Sequence, residues 1–257
     1  MHLIKKFLSK ILSESAYLKT LHRVFFLLYS SGLLKGNPNF KYHYMVRKLI
    51  QPNFVVLDIG ANLGYFARTF SNLAKQGKVI AIEPVPAFYQ VLKHFLGKRA
   101  NVEIHNVALG REEGTVTMVM PQTDGFIRTG LPHIYERENE RENENERENE
   151  TKRTQEVRIV KALTFLENFG KIDYIKCDIE GYEGVVFKEI RPLIEKYRPF
   201  VQLEIDQKNR VELLRMFQEM NYLHFGIENQ NFVAEHEDGD YFFVPQEKTA
   251  EFQSWVA

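Results

Sequence analysis

The residues best placed to do chemistry stand in the run Val55-Val56-Leu57-Asp58-Ile59-Gly60-Ala61-Asn62-Leu63-Gly64-Tyr65. A buried-looking strand ends in an aspartate, and a glycine turn then leads into a helical pattern. Ligands of open α/β sheets bind beyond the carboxyl ends of the strands. Gly60 allows a sharp turn and close approach of a ligand, and Gly64 allows tight packing where the helix begins. The free amides of that helix start favour an anionic group. Glu83 ends the next strand-like run, Lys78 to Glu83. An acid at that point can accept both hydroxyls of a ribose. The spacing is Gly-x-x-x-Gly after an Asp, not the Gly-x-Gly-x-x-Gly of nicotinamide domains.

A second set is acidic. Lys176, Asp178, Glu180 and Glu183 lie at and beyond the end of the run Asp173 to Ile179, and Glu204 lies near the end of Phe200 to Ile205. In a parallel sheet these two strand ends are neighbours over one cleft. A carboxylate with a raised pKa can act there as a general base on an alcohol. Two or three carboxylates can instead hold a divalent cation that acidifies the hydroxyl. The plainer alternative is strand-end acids serving as caps or as ion pairs with Lys176. Gly181 reads as a turn residue, and Cys177 as a small buried hydrophobe. The eight histidines show no metal-ligand spacing. His224 and His236 read as structural or surface residues.

The elements that must position these groups alternate. Helices are expected over Tyr65 to Lys75, Pro86 to Gly97, Thr164 to Phe169, Gly184 to Tyr197 (interrupted or bent at Pro192) and Asn209 to Met220. Thr164 and Glu167 resemble a capping box. Strands are expected over Phe54 to Ile59, Lys78 to Glu83, Val102 to Leu109, Thr115 to Met120, Val157 to Lys161, Asp173 to Ile179 and Phe200 to Ile205. Tyr222 to Ile227 and Tyr241 to Val244 form a final pair. This order predicts an α/β, Rossmann-like, mostly parallel sheet with helices on both faces and an antiparallel edge strand. Residues 1–50 form a helical segment, and 51–257 form the main domain.

The 257 residues are 44 % hydrophobic, with 20 Phe and 12 Tyr, enough for a large core. Net charge is zero and the pI is about 7.1, so no nucleic-acid partner is expected. One cysteine excludes an intramolecular disulfide and a cysteine zinc cluster, and it fits a reducing, cytoplasmic compartment. Glu136 to Glu150 contains only Glu, Arg and Asn and carries a net charge of −5. It reads as a solvated low-complexity insertion rather than a docking arm. Near the N-terminus, Leu3, Ile4, Phe7, Leu8, Ile11 and Leu12 share a helical face, with Lys5, Lys6 and Lys10 near the other. That segment packs on the domain or a second subunit, or else lies on a membrane surface. It is too short to span a bilayer and lacks a signal-peptide core.

The motifs DIGANLGYF, VIAIEPVPAFYQVL, NVALG, DYIKCDIEGYEGVVF and PFVQLEI together resemble the FkbM-type methyltransferases, from about Phe54 to about Pro245. IEP after the second strand, with IK-x-D-x-EG-x-E after the fourth, is the discriminating combination. The resemblance implies a class I methyltransferase fold, S-adenosylmethionine as methyl donor, and O-methylation of a hydroxyl on a sugar, glycan or secondary metabolite. It implies that Asp58, Gly60, Ala61, Asn62 and Gly64 line the methionine part of the donor. Glu83 would hold the ribose, and Asn106, Val107 and Ala108 would border the adenine. The acids Asp178, Glu180 and Glu204 are the candidate catalytic residues, and His133 is a further candidate base near the acceptor. The rival readings are a cofactor-binding scaffold without turnover and an N-methyltransferase. The expected partner is a small-molecule or glycan acceptor, with peripheral membrane contact through the first helix as an open alternative.

Overall fold

A computed structural model describes residues 12–123, 126–135, 151–228, 231–234 and 239–256. The charged repeat 136–150, His236 and most of the basic N-terminal stripe lie outside the described residues.

Eight strands form the main sheet: β1 (Val55–Ile59), β2 (Lys78–Ile82), β3 (Val102–His105), β9 (Tyr174–Cys177), β10 (Phe200–Glu204), β11 (Tyr222–Glu228), β12 (Asn231–Val233) and β13 (Asp240–Pro245). Their order across the sheet is β12-β11-β13-β10-β9-β1-β2-β3. Strands β10, β9, β1, β2 and β3 run parallel, while β13 is antiparallel to both β10 and β11. The expected antiparallel pairing therefore stands at this end of the sheet, with the short antiparallel β12 at its edge.

Both faces are covered, because successive side chains of each strand point to opposite sides. One face sets Leu57, Ile59, Ile175, Cys177, Val201 and Leu203 against helices α5 (Ala162–Glu167), α6 (Glu183–Tyr197) and α7 (Gln207–Glu219). The other sets Val56, Val79, Ala81, Tyr174 and Phe200 against α2 (Lys41–Leu49), α3 (Tyr65–Leu73), α4 (Pro86–Leu96) and α8 (Thr249–Val256). Helix α7 starts on a capping aspartate, Asp206, whose side chain accepts from the Asn209 amide at 2.8 Å.

Three local readings are corrected. The run Val102 to Leu109 is two strands. It breaks at Asn106–Val107, and β4 (Ala108–Gly110) leaves the main sheet to pair with β8 (Thr151–Lys161). The helix expected at Thr164 starts two residues earlier, so Thr164 and Glu167 both lie inside it and form no cap. Helix α6 runs unbroken through Pro192, an exposed position, where the lost backbone bond falls on the solvent side.

A second sheet was not foreseen. In it β8 pairs over its length with β5 (Gly114–Thr123), and β6 (Phe126–Ile127) and β7 (His133–Ile134) add to β5. Met118, Met120, Ile127, Val157 and Ile159 of this sheet pack with Leu63 in the turn after β1, Val85 before α4 and Phe88 in α4.

The N-terminal helix α1 (Glu14–Ser30) docks onto α3 and α4. It contains the apolar run Val24 to Tyr29 and buries Phe25, Phe26 and Tyr29. Its fully buried His22 donates from Nδ1 to the Leu63 carbonyl at 2.8 Å, while Nε2 accepts from Arg68 at 3.1 Å. The His22 ring stacks on Phe95 with centroids 3.9 Å apart. Burial, opposed by the Leu63 bond and reinforced by the Arg68 charge, lowers its pKa to about 4. A histidine held neutral contributes stability above the ordinary value near 6.5, lost as pH falls from there toward 4. His43, lowered to about 3, acts in the same direction, and buried acids with raised pKa act in the opposite one. The His22 contribution is therefore read as a difference between proteins. Between pH 7 and pH 4, urea titrations of wild type are expected to lose up to about 3 kcal/mol relative to His22→Phe. Parallel pH curves for the two proteins would contradict this account.

Candidate active site

The cleft opens at the carboxyl ends of β1, β2 and β9. Its walls include Gly60, Asn62, Glu83, Ala108, Asp178 and Glu180. Of the remaining predicted site residues, Asp58, Ala61, Gly64, Asn106 and Glu204 stand outside the lining.

The turn after β1 is dictated by crowding. Gly60 has φ +76°, and a Cβ there would overlap the Asp178 carbonyl oxygen. Its amide and that of Ala61 both donate to the Ile82 carbonyl at 3.0 Å, which ties the turn to β2. Asn62 is left-handed at φ 51°, a conformation asparagine tolerates better than most residues. Its side-chain oxygen accepts from the Leu63 amide at 2.7 Å, and its side-chain nitrogen donates to the Thr129 carbonyl. Gly64 caps α3 at φ +84°, where a Cβ would press on Leu92. Gly64 and Ala61 thus act in packing and turn geometry, behind the cleft surface.

Glu83 is almost fully buried. Its Oε2 accepts from the Asn62 amide at 2.7 Å and its Oε1 from the Val85 amide at 2.8 Å. Burial raises its pKa to about 7 against the pull of those two amides. Each carboxylate oxygen has two acceptor positions, so one on each remains for a ligand. The Asn106 amide donates to the carbonyls of Glu83 and Pro84, at 2.8 Å each, and so positions the wall rather than forming it. Phe88, Ile82, Val107 and Leu109 supply apolar surface.

Asp58 lies beneath the floor, fully buried. Among the described residues neither of its oxygens has a hydrogen bond of normal geometry. Burial raises its pKa to about 6, opposed by the Lys176 charge and the Ala67 amide.

Beyond β9 the loop is folded by Glu183. Its carboxyl accepts from the Ile179 and Gly181 amides at 2.9 Å each, holding Glu180 in a left-handed conformation at φ 53°. That backbone is uncommon outside glycine, and such strain collects at functional sites. Burial first, then Asp178 and Glu183, raises Glu180 to about 8. Glu204 ends β10 on the solvent side, and it too is raised: its carboxyl is partly desolvated, and Asp178, Asp240 and Glu180 crowd it. Among the described residues no three His, Cys, Asp or Glu side chains are grouped to hold a metal ion. Cys177 is buried in the core, and His133 donates from Nδ1 to the Leu131 carbonyl of its own loop at 2.9 Å.

Sequence reasoning missed Tyr182, Met118, Gly130, Pro132 and Ile134, all of which line the cleft. Tyr182 sits inside the acidic motif, between Glu180 and Glu183. The others come from the second sheet and its loop, which no local pattern connects with the first.

The strand order, with the glycine turn after β1 and the acid after β2, defines a class I methyltransferase fold. A model of the "Methyltransferase FkbM domain" matches residues 58–233, and the chain belongs to that family of methyltransferases. Methyltransferase 1 of Beauveria bassiana is 26 % identical over 159 residues, covering 56 % of this chain and 61 % of that protein. The 2-O-methyltransferase NoeI of Sinorhizobium fredii is 22 % identical over 187 residues, covering 72 % of this chain and 76 % of NoeI. The crystal structure of Methyltransferase FkbM from Methylobacillus flagellatus superposes with a TM-score of 0.50 at 14 % identity, over 76 % of this chain and 44 % of that one. The chain thus spans less than two thirds of two of these three proteins. No helix among the described residues is long and apolar enough to cross a membrane.

Gly60→Ala tests the turn. The added methyl meets backbone, not a movable side chain, so a loss of more than about 2 kcal/mol is expected in chemical denaturation. Wild-type stability for this variant would show that β1 and β9 can separate freely.

Proposed function

We propose that this chain transfers a methyl group from S-adenosylmethionine to a hydroxyl oxygen of a sugar, a glycan or a secondary metabolite. The observation that carries the donor is Glu83, a buried carboxylate fixed by two backbone amides with one acceptor position left on each oxygen. That arrangement fits paired ribose hydroxyls, and the apolar surface of Phe88, Ile82 and Val107 fits a purine. Gly60 offers a wall without a side chain beside it. S-adenosylmethionine, when bound, supplies an electrophilic methyl group on a sulfonium.

The acceptor side rests on the acids. A hydroxyl must lose its proton to attack, and Glu180 lines the cleft with a pKa of about 8, close to the operating range of a general base. Asp178 beside it raises that value and borders the same space. Glu204 extends the acidic rim toward β13, its strand neighbour. The name of NoeI, a 2-O-methyltransferase, supports oxygen as the acceptor atom. The expected surroundings remain the cytoplasm.

The test is calorimetric titration with S-adenosylhomocysteine, with and without magnesium, followed by methyl-transfer assays on sugar hydroxyls. Micromolar binding is expected, and absence of binding by folded protein would refute the donor assignment. Glu83→Ala is expected to weaken that binding by about 2–3 kcal/mol, through loss of charge-assisted hydrogen bonds. Glu180→Gln is expected to bind as wild type does but to lose turnover by about 100-fold or more. The wild-type rate should rise with pH up to about 8 as Glu180 ionises. A pH-independent rate, or full activity in Glu180→Gln, would remove Glu180 from the chemistry.

A further inference from the structure

Lys176 is the one charged side chain of the IK-x-D segment that the proposed chemistry leaves unused. It is 4 % exposed, in the middle of the sheet. The strand register sets it beside Asp58 on β1 and beside Gln202 on β10. Its ammonium donates to Asp178 Oδ2 at 3.1 Å and to the Gly60 carbonyl at 3.4 Å, and it lies 5.4 Å from the centre of the Phe66 ring. A buried ammonium is costly unless paired and hydrogen-bonded, and this one has a partner just beyond β9 and another in the turn between β1 and α3.

We infer that Lys176 is a positioning residue, whose ammonium holds the Gly60 turn and the Asp178 carboxylate in one geometry and balances the charge beneath the donor site. Resting on the donor assignment above, this names what orients the site. The Gly60 carbonyl belongs to the turn that walls the cleft, and Asp178, packed against that turn at the end of the neighbouring strand, lines the same cleft. One donor group therefore ties together two lining segments that are more than a hundred residues apart in the chain. Phe66 on α3 and Gly60 in the turn flank the ammonium, and the Lys176 side chain is 5 % exposed.

The charge balance explains why a lysine serves here and an apolar residue does not. The titratable groups facing Lys176 are Asp58 on β1, Cys177 and Asp178 at the end of β9, Glu180 beyond it, Glu83 after β2, and His43 on α2. His43 is held neutral by burial and by Lys176 itself. The buried carboxyls thus have Lys176 as their nearest cation, and without it they stand as uncompensated negative charge around the turn. Burial alone pushes the ammonium toward neutrality, but Asp178 and Asp58 together outweigh it, and its pKa is raised.

The experiment is titration of Lys176→Met, Lys176→Arg and wild type with S-adenosylhomocysteine at pH 6 and pH 8, with folding checked by circular dichroism. Wild type is expected to bind more weakly at pH 6 than at pH 8, because Glu83, raised to about 7, takes up a proton, so each variant is compared with wild type at the same pH. Lys176→Met is expected to bind about tenfold more weakly at pH 8 and to regain most of that at pH 6, where the stranded carboxyls take up protons. Lys176→Arg, which keeps the charge, is expected to stay within about threefold of wild type at both. Equal affinity of wild type and folded Lys176→Met at both pH values would overturn the inference. So would a loss in Lys176→Arg as large as that in Lys176→Met and independent of pH, because that pattern marks packing alone. If Lys176→Met does not fold, Lys176→Arg decides between the same two results. Failure of wild type itself to bind would instead refute the donor assignment, and this inference with it.

Discussion

No side chain fits between the ends of β1 and β9, because a Cβ on Gly60 would overlap the Asp178 carbonyl. That contact sets the geometry around it. It requires a residue that accepts positive φ at the turn, and it brings the Gly60 carbonyl and the Asp178 carboxylate to the same ammonium. It also leads the chain toward Asn62, whose amide holds one oxygen of Glu83. Glu83 in turn accepts from Val85, just before α4 begins. One close approach is thereby transmitted through three strands by hydrogen bonds that are buried or partly buried, where competition from water is reduced.

Around this frame the polar groups divide by role. Asp58, Lys176 and Glu183 are buried and serve the architecture of turn and loop. Glu83, Asp178 and Glu180 reach the cleft. The division follows from strand ends. Residues within a strand are sealed between helices on one face or the other, whereas the first residues beyond it escape the layers and face the cleft. Burial raises several of these carboxyls toward neutrality, so the cleft holds acids that titrate near pH 7 and 8 instead of near 4.

Two parts of the molecule close the site from outside the main sheet. The second sheet brings Met118 and Ile134 over the cleft, and Asn62 reaches across to the Thr129 carbonyl to meet it. Helix α1 lies before the segment matched by the family model, yet its His22 holds the Leu63 carbonyl inside the glycine turn. Phe95 and Arg68 fix that ring in place, so the N-terminal helix braces the turn from behind.

Much of this was legible in the residue order. The alternation of β-branched runs with amphipathic stretches marked the strands β1, β2, β9 and β10 and the helices between them, because local period reports which side of an element is buried. Asp58-x-Gly60 and Glu83 announced themselves as strand-end residues for the same reason. The break at Asn106 was not legible, since the apolar residues Val102 and Ile104 before it and Val107 to Leu109 after it read as one strand; only the pairing of Ala108 with Ile159 moves the second half to another sheet. Nor could spacing show that Asp58 stands beside Lys176, or that Gly60 needs its missing Cβ for a carbonyl more than a hundred residues away. The sequence by itself determined the elements and the chemical types at their ends, because both depend on near neighbours along the chain. Which acids face the cleft, which are sealed beneath it, and which distant residues wall it were decided only by tertiary structure. Burial and charge pairing arise between segments that the chain order keeps apart.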